Sequence, residues 1–167
     1  MKKLILTRHA KSDWNNLNAS DHERTLNPAG RSACGIIARW LIDQATLPKQ
    51  VLCSDATRCV ETWSYLEADL NTDIEANYLR NLYNASADQI SAQLKSASGD
   101  CVMLLAHNPG IAEAASQLCK TPPNHHKFAS YPAAATVILE FEIANWADLT
   151  PHSGTVLGFT VPKDHMA

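Results

Sequence analysis

The sequence predicts an α/β fold built on an open, mostly parallel sheet. Short apolar runs of strand length, such as "VMLLA" at 102–106, alternate with longer stretches whose apolar residues recur at helical spacing. Asn-Pro steps at 27–28 and 108–109 offer a cap residue and then a proline at the first helical position. The last third of the chain turns to strand-like runs, so that a β-α-β-α pattern gives way to a β-rich end.

Taken in order, Lys3–Thr7 is the first strand, followed by a polar, Asn-rich loop through residue 26. "LNPAGR" opens a helix with Asn27 as N-cap and Pro28 at its first position, and Ile36, Ile37, Trp40 and Leu41 mark its inner face. Val51–Cys53 is a second strand, with Ser54 and Asp55 as cap residues for a helix carrying Val60, Trp63 and Leu66. Residues 73–85 read as a short extended piece and a loop. Ser86–Leu94 is a short amphipathic helix, Gly99 closes it, and Cys101–Ala106 is the strongest strand. Asn108 and Pro109 start a helix running to about Cys119, and "KTPPNHHK" is loop. Ala134–Phe141 and Thr155–Val161 are two further strands.

A chain of 167 residues suits one domain over 1–167, large enough to bury about 70 % of the surface it exposes when unfolded. Its formal net charge of −3 provides no field for a polyanion, so neither nucleic acid nor an acidic membrane is expected as partner. The apolar run after Met1, Lys2 and Lys3 is too short for a signal peptide, and no segment reaches the length of a membrane span. A cytoplasmic protein is expected, in which the five cysteines stay reduced and Cys53 and Cys101 act as small buried hydrophobes.

The chemistry collects at strand ends. "LILT" stops at Arg8 and His9, "VLCSDAT" reaches Arg58, and "VMLLA" stops at His107. In an open α/β sheet, groups just past the carboxyl ends of parallel strands face one crevice, so the first strand delivers its charged pair to the rim of a pocket. Arg58 falls in the first turn of its helix, where the macrodipole disfavours a cation by about 0.3–1 kcal/mol unless an anion reverses the sign. The helix start after His107 can likewise aim backbone N–H groups at negative charge. An arginine fork matches a phosphate edge, so the ligand expected at this crevice is a phosphoryl group. Singly, each of these residues has a duller explanation as a satisfied core histidine or a solvated arginine.

These residues resemble the histidine phosphatase superfamily, whose fold is phosphoglycerate-mutase-like. The Arg-His pair of "TRHAKSDWN", the arginine of "SDATRCVET" and the histidine of "LLAHNPGI" carry the likeness. Together with "LNPAGR" and "LYNAS" they are most similar to the SixA-type phosphohistidine phosphatases, over residues 4 to about 142. The chain departs from the pattern at Ala10, where the family usually has Gly, and at Pro132 and Ala133, where relatives tend to have Pro-Thr and so a hydroxyl at the pocket rim. The resemblance implies a three-layer α/β/α fold with a mostly parallel central sheet.

It further implies a metal-independent phosphatase that needs no cofactor. His9 is the expected nucleophile, forming a phosphohistidine that water then hydrolyses, with Arg8, Arg58 and His107 around the equatorial oxygens. Ser12, Asn15 and Asn108 are candidates for further substrate hydrogen bonds. "NYLRNLYNAS" holds no acid where ester-cleaving relatives place one, although Glu75 and Asp88 flank it and could serve. A leaving imidazole needs little protonation, so an acid-poor site fits phosphohistidine on the phosphotransfer domain of a partner protein. A phosphomonoesterase or phosphomutase acting on a small ester stays open, as does a phosphate-binding module without turnover. A monomer with a modest, transient contact to its partner is expected. Arg58, taken as a rim residue, is expected to matter for activity far more than for stability. His22, His125, His126, His152 and His165 are given no role, though His125 and His126 could touch a substrate from the pocket edge.

Overall fold

The computed structural model describes residues 1–166. Six strands form one sheet: β1 (Lys2–Arg8), β2 (Gln50–Ser54), β3 (Asn77–Leu79), β4 (Cys101–Ala106), β5 (Thr136–Phe141) and β6 (Thr155–Thr160), in the order β3-β2-β4-β1-β5-β6. β1, β2, β3 and β4 run parallel, while β5 lies antiparallel to both β1 and β6. The chain through residue 106 therefore places its strand ends on one edge of the sheet.

Four helices, α1 (Pro28–Asp43), α2 (Thr57–Leu70), α3 (Ala87–Leu94) and α4 (Gly110–Leu118), cover the sheet and complete three layers. Alternation within the strands explains the layering. Leu4 and Leu6 of β1, with Val102, Leu104 and Ala106 of β4, join a core with α3 and α4. Ile5, Met103 and Leu105 point the other way, into a core with α1 and α2. Because both faces are covered, central parallel strands are apolar throughout, which is why they stood out as continuous runs. The five cysteines are buried thiols, as expected of Cys53 and Cys101.

Helix starts were partly misplaced by sequence. Asn27 does cap α1, accepting from the N–H of Gly30 at 2.7 Å, and Ser86 forms a capping box with Gln89. Ser54 and Asp55, however, do not cap α2. Ser54 remains in β2, where its hydroxyl accepts from the N–H of Ala56, and the N–H of Thr57 donates to the His22 carbonyl at 3.0 Å. Asn108 does not cap α4 either. Its side-chain amide donates to the carbonyls of Ser130 and Tyr131, and the helix begins at Gly110. A Cβ at Gly110 would lie 1.8 Å from the Ala85 carbonyl oxygen, so only glycine lets α4 start this close to the loop before α3. β5 begins two residues later than expected, because Tyr131 (φ 50°) and Ala134 (φ 63°) turn through the left-handed region before the strand.

Candidate active site

Beyond the carboxyl ends of β1, β2 and β4, four side chains meet. Residue 9 follows β1 directly, and its Nδ1 lies 2.7 Å from the Ala10 carbonyl oxygen. That nitrogen must carry the proton, which leaves the Nε2 lone pair free to accept from Nε–H of Arg58 at 3.3 Å. His107, the residue after β4, is held in the opposite sense. Its Nε2 is 2.7 Å from the Ser54 hydroxyl, and its Nδ1 accepts from Nη2–H of Arg58 at 3.2 Å. The two imidazoles stand 5.2 Å apart. Arg58, the second residue of α2, thus touches both.

Burial sets the protonation states. His9 and His107 are only 7 % and 2 % exposed. Desolvation, reinforced for His9 by Arg58 and Arg8, lowers its pKa to about 4. For His107, burial first and then His9 and Arg58 lower it to about 3. Both rings are neutral at pH 7, so each offers a lone pair.

Arg8 reaches back with Nη1 to the Tyr131 carbonyl at 3.2 Å, while its Nε is buried without a partner. The side-chain oxygen of Asn108 is equally buried and unpartnered. Unsatisfied buried polar groups are costly, and both residues line one cleft of about 860 Å³ with His9, Arg58 and His107 at its base. An anion seated there would satisfy the Arg8 donor. Among the described residues, no group of three His, Cys, Asp or Glu side chains is placed to hold a metal ion.

His9 and Arg58 belong to the floor of the cleft rather than to its rim: Arg58 is 4 % exposed. Its buried guanidinium is compensated by Asp21, a residue that sequence reasoning missed. Nη1 donates to the Asp21 carbonyl at 2.6 Å and Nη2 to its carboxylate at 3.2 Å. Arg24 and the Tyr83 hydroxyl also donate to this carboxylate. The Tyr83 hydrogen bond, with Arg24 and Arg58, holds the Asp21 carboxyl well below the usual carboxylate range. Tyr83 and Tyr131 were likewise missed as site residues, although Tyr83 lies within the quoted "LYNAS". Nothing local in a loop of Asn, Ser and Asp singles out the one aspartate that meets an arginine 37 residues away.

The other expected residues divide. Ser12 and Asn108 line the cleft, as do Ala133 and His126. Asn15 does not: it is exposed, and its N–H closes a local turn on the Asp13 carboxylate at 2.8 Å. Glu75 is exposed and precedes β3, at the amino end of the strands and away from the site. Asp88 is exposed in the first turn of α3 and does not line the cleft. His125 pairs with Asp164 at 2.9 Å. Ala10 is fully buried, and its N–H donates to the Thr62 hydroxyl at 3.0 Å, so an alanine fits where the family usually has glycine.

Comparison with known proteins gives the fold and the family of the chain. A solved SixA from Nakamurella multipartitia, assigned as a phosphohistidine phosphatase, superimposes with a TM-score of 0.82 at 22% identity, covering 96% of each chain. The protein histidine phosphatase SixA complexed with tungstate gives 0.79 at 20% identity, covering 98% of this chain and 99% of that one. These likenesses show a common fold, the phosphoglycerate-mutase-like arrangement expected from sequence. An uncharacterized chloroplastic protein of Arabidopsis thaliana is 33% identical over 128 residues, 70% of this chain, and the chain spans 59% of that relative's length. The sequence model of the histidine phosphatase superfamily (branch 1) matches residues 4–89, just over half of the 167 residues and inclusive of Arg8, His9 and Arg58. The chain belongs to the histidine phosphatase superfamily.

Proposed function

We propose that this protein is a phosphohistidine phosphatase that removes the phosphoryl group from a histidine of a partner protein. The observation that carries the reading is the tautomer lock on His9. Its Nδ1–H is committed to the Ala10 carbonyl, and its neutral Nε2 faces Arg58 and His107 at the base of the cleft.

In the first step the Nε2 lone pair attacks phosphorus, the substrate's P–N bond breaks, and the imidazole leaves with the electron pair and takes a proton from solvent water. In the second, water attacks phospho-His9, the new P–N bond breaks, and orthophosphate departs. Arg8, Arg58 and His107 hold the equatorial oxygens, a role that suits fixed donors in a transfer with little other chemistry. His107 can donate to an oxygen only after taking up a proton or exchanging tautomer, which the incoming dianion favours.

The lack of a free acid supports the choice of bond: Asp164 lines the cleft but is engaged by His125, the Thr160 hydroxyl and the N–H of Val161. Asp21 is the carboxylate that touches Arg58, and it is held ionised by three donors, so it cannot protonate a leaving group at neutral pH. Glu75 and Asp88 lie outside the cleft. An imidazole departs without such help far more readily than an alkoxide.

The test compares a phosphohistidine peptide with p-nitrophenyl phosphate and 3-phosphoglycerate. Turnover should favour the peptide, and brief incubation with labelled substrate should leave an acid-labile, alkali-stable label on the wild type and none on His9→Ala. A preference for either ester would instead indicate a phosphomonoesterase or phosphomutase. Absence of both label and turnover would leave a binding module.

A further inference from the structure

The cleft is far larger than a phosphoryl group requires. Its volume of about 860 Å³ is near the upper end for sites that enclose a whole drug-sized ligand. The part beyond the four central residues is lined by Trp14, by Ala29, Ala33 and Ile36 from α1, and by the segment 161–164 with Met166.

Charge is distributed unevenly over this surface. Six of the 14 Lys and Arg residues line it, namely Arg8, Lys11, Arg24, Arg58, Lys127 and Lys163. Of the 17 Asp and Glu residues, Asp164 is the one that does so among the described residues, and it is engaged by His125, the Thr160 hydroxyl and the N–H of Val161. A chain with net charge −3 has therefore gathered cations on one hollow. Arg8 and Arg58 serve the phosphoryl site and Arg24 is bound to Asp21, but Lys11, Lys127 and Lys163 form no ion pair among the described residues.

Large apolar side chains stand among these cations. Trp14 is 71% exposed with the Arg24 guanidinium stacked 3.6 Å from its ring centroid, and Met166 is 61% exposed. Solvated tryptophan and methionine beside unpaired lysines are the makings of a protein contact, since such anchors gain most when a partner covers them.

We propose that this cationic, part-apolar cleft is the docking surface for an acidic face of the phosphorylated partner protein. Carboxylates flanking the phosphohistidine meet Lys11, Lys127 and Lys163, and an apolar side chain covers Trp14. The proposal rests on the phosphohistidine phosphatase reading and adds to it the chemical class of the substrate surface. Charge of this kind raises the rate of encounter and suppresses partners of the wrong sign.

The experiment uses the full chain and two phosphohistidine peptides that differ only in carrying Glu or Gln at the positions flanking the phosphorylated residue. At low salt the wild type should favour the acidic peptide by about tenfold or more in kcat/KM. In the variant Lys11→Glu/Lys127→Glu/Lys163→Glu the ratio should fall below one, and in the wild type it should collapse to about one near 0.5 M salt, where the Debye length is only about 4 Å. The ratio between peptides cancels any general effect of the substitutions on phosphate affinity, and the salt series needs no variant at all. Equal turnover of both peptides by the wild type, or a ratio unaltered in the variant and by salt, would overturn the docking proposal and leave the phosphatase reading standing. Failure to dephosphorylate either peptide would overturn that reading, and this one with it.

Discussion

Arg58 and Asp21 are joined twice: one guanidinium N–H reaches the backbone carbonyl of Asp21 and another its carboxylate, at 2.6 and 3.2 Å. The pair fastens the long loop after β1 to the start of α2, where Thr57 N–H meets the His22 carbonyl and His22 meets Asp55. It also fixes the plane of a guanidinium whose remaining donors face His9 and His107. A fork held in this way needs no reorganisation when charge develops on a phosphoryl oxygen.

Replacing the carboxylate should therefore act through Arg58. Asp21→Ala is expected to lower kcat/KM by about 10- to 100-fold, because small misplacement of a positioned group costs that much. Asp21→Asn keeps an acceptor and should retain more activity. Equal activity of both variants and the wild type would show that Arg58 positions itself.

Arg58→Ala is expected to damage stability as well as activity, contrary to what a rim residue would do. Its removal leaves the Asp21 carbonyl and the lone pairs of two buried imidazoles without a donor, at about 1–3 kcal/mol. Activity should fall by about 10²–10³-fold, the scale for loss of a donor at a developing oxyanion. Chemical denaturation of the purified variant measures the first, and phosphohistidine turnover the second.

Stability should rise with pH through the acid range. The folded pKa values of His9 and His107, about 4 and about 3, lie below the unfolded value of about 6.5, so the unfolded chain binds protons first as pH falls. The loss begins below about pH 6.5 and continues to about pH 3, amounting to roughly 2–4 kcal/mol at pH 5 for the two rings together. Tm at pH 5 should be lower than at pH 7, by on the order of 5–10 °C. In His9→Ala the same interval should produce a smaller drop, and an equal drop would place the titration elsewhere.

Gly110→Ala tests the anchoring of α4. Its Cβ would meet the Ala85 carbonyl, so the helix start and the adjacent His107 must shift, at about 1–3 kcal/mol. Activity should fall together with Tm. Unchanged thermal unfolding would mean that the loop before α3 gives way freely.

The amino-acid sequence by itself indicated five of the six strands, the four helices and the four central residues, and left β3 as a short extended piece within 73–85. β1 and β4 are apolar on both faces, so their runs end where the apolar core gives way to the polar floor of the cleft, and Arg8, His9 and His107 mark those ends without any knowledge of the partner strands. Arg58 was legible for a similar reason, since a cation in a first helical turn is locally out of place. Tertiary structure alone decided what those residues meet. Ser54 was read as a cap but serves His107, and Asn108 was read as a cap but holds the chain at Tyr131. Asp21, Tyr83 and Tyr131 contribute through hydrogen bonds to residues 37, 62 and 123 positions away. Local periodicity and capping act within a turn or two of chain and leave a mark in the sequence there. A donor meeting an acceptor across such distances, and the burial that keeps both imidazoles neutral, exist only once the two cores have closed around the sheet.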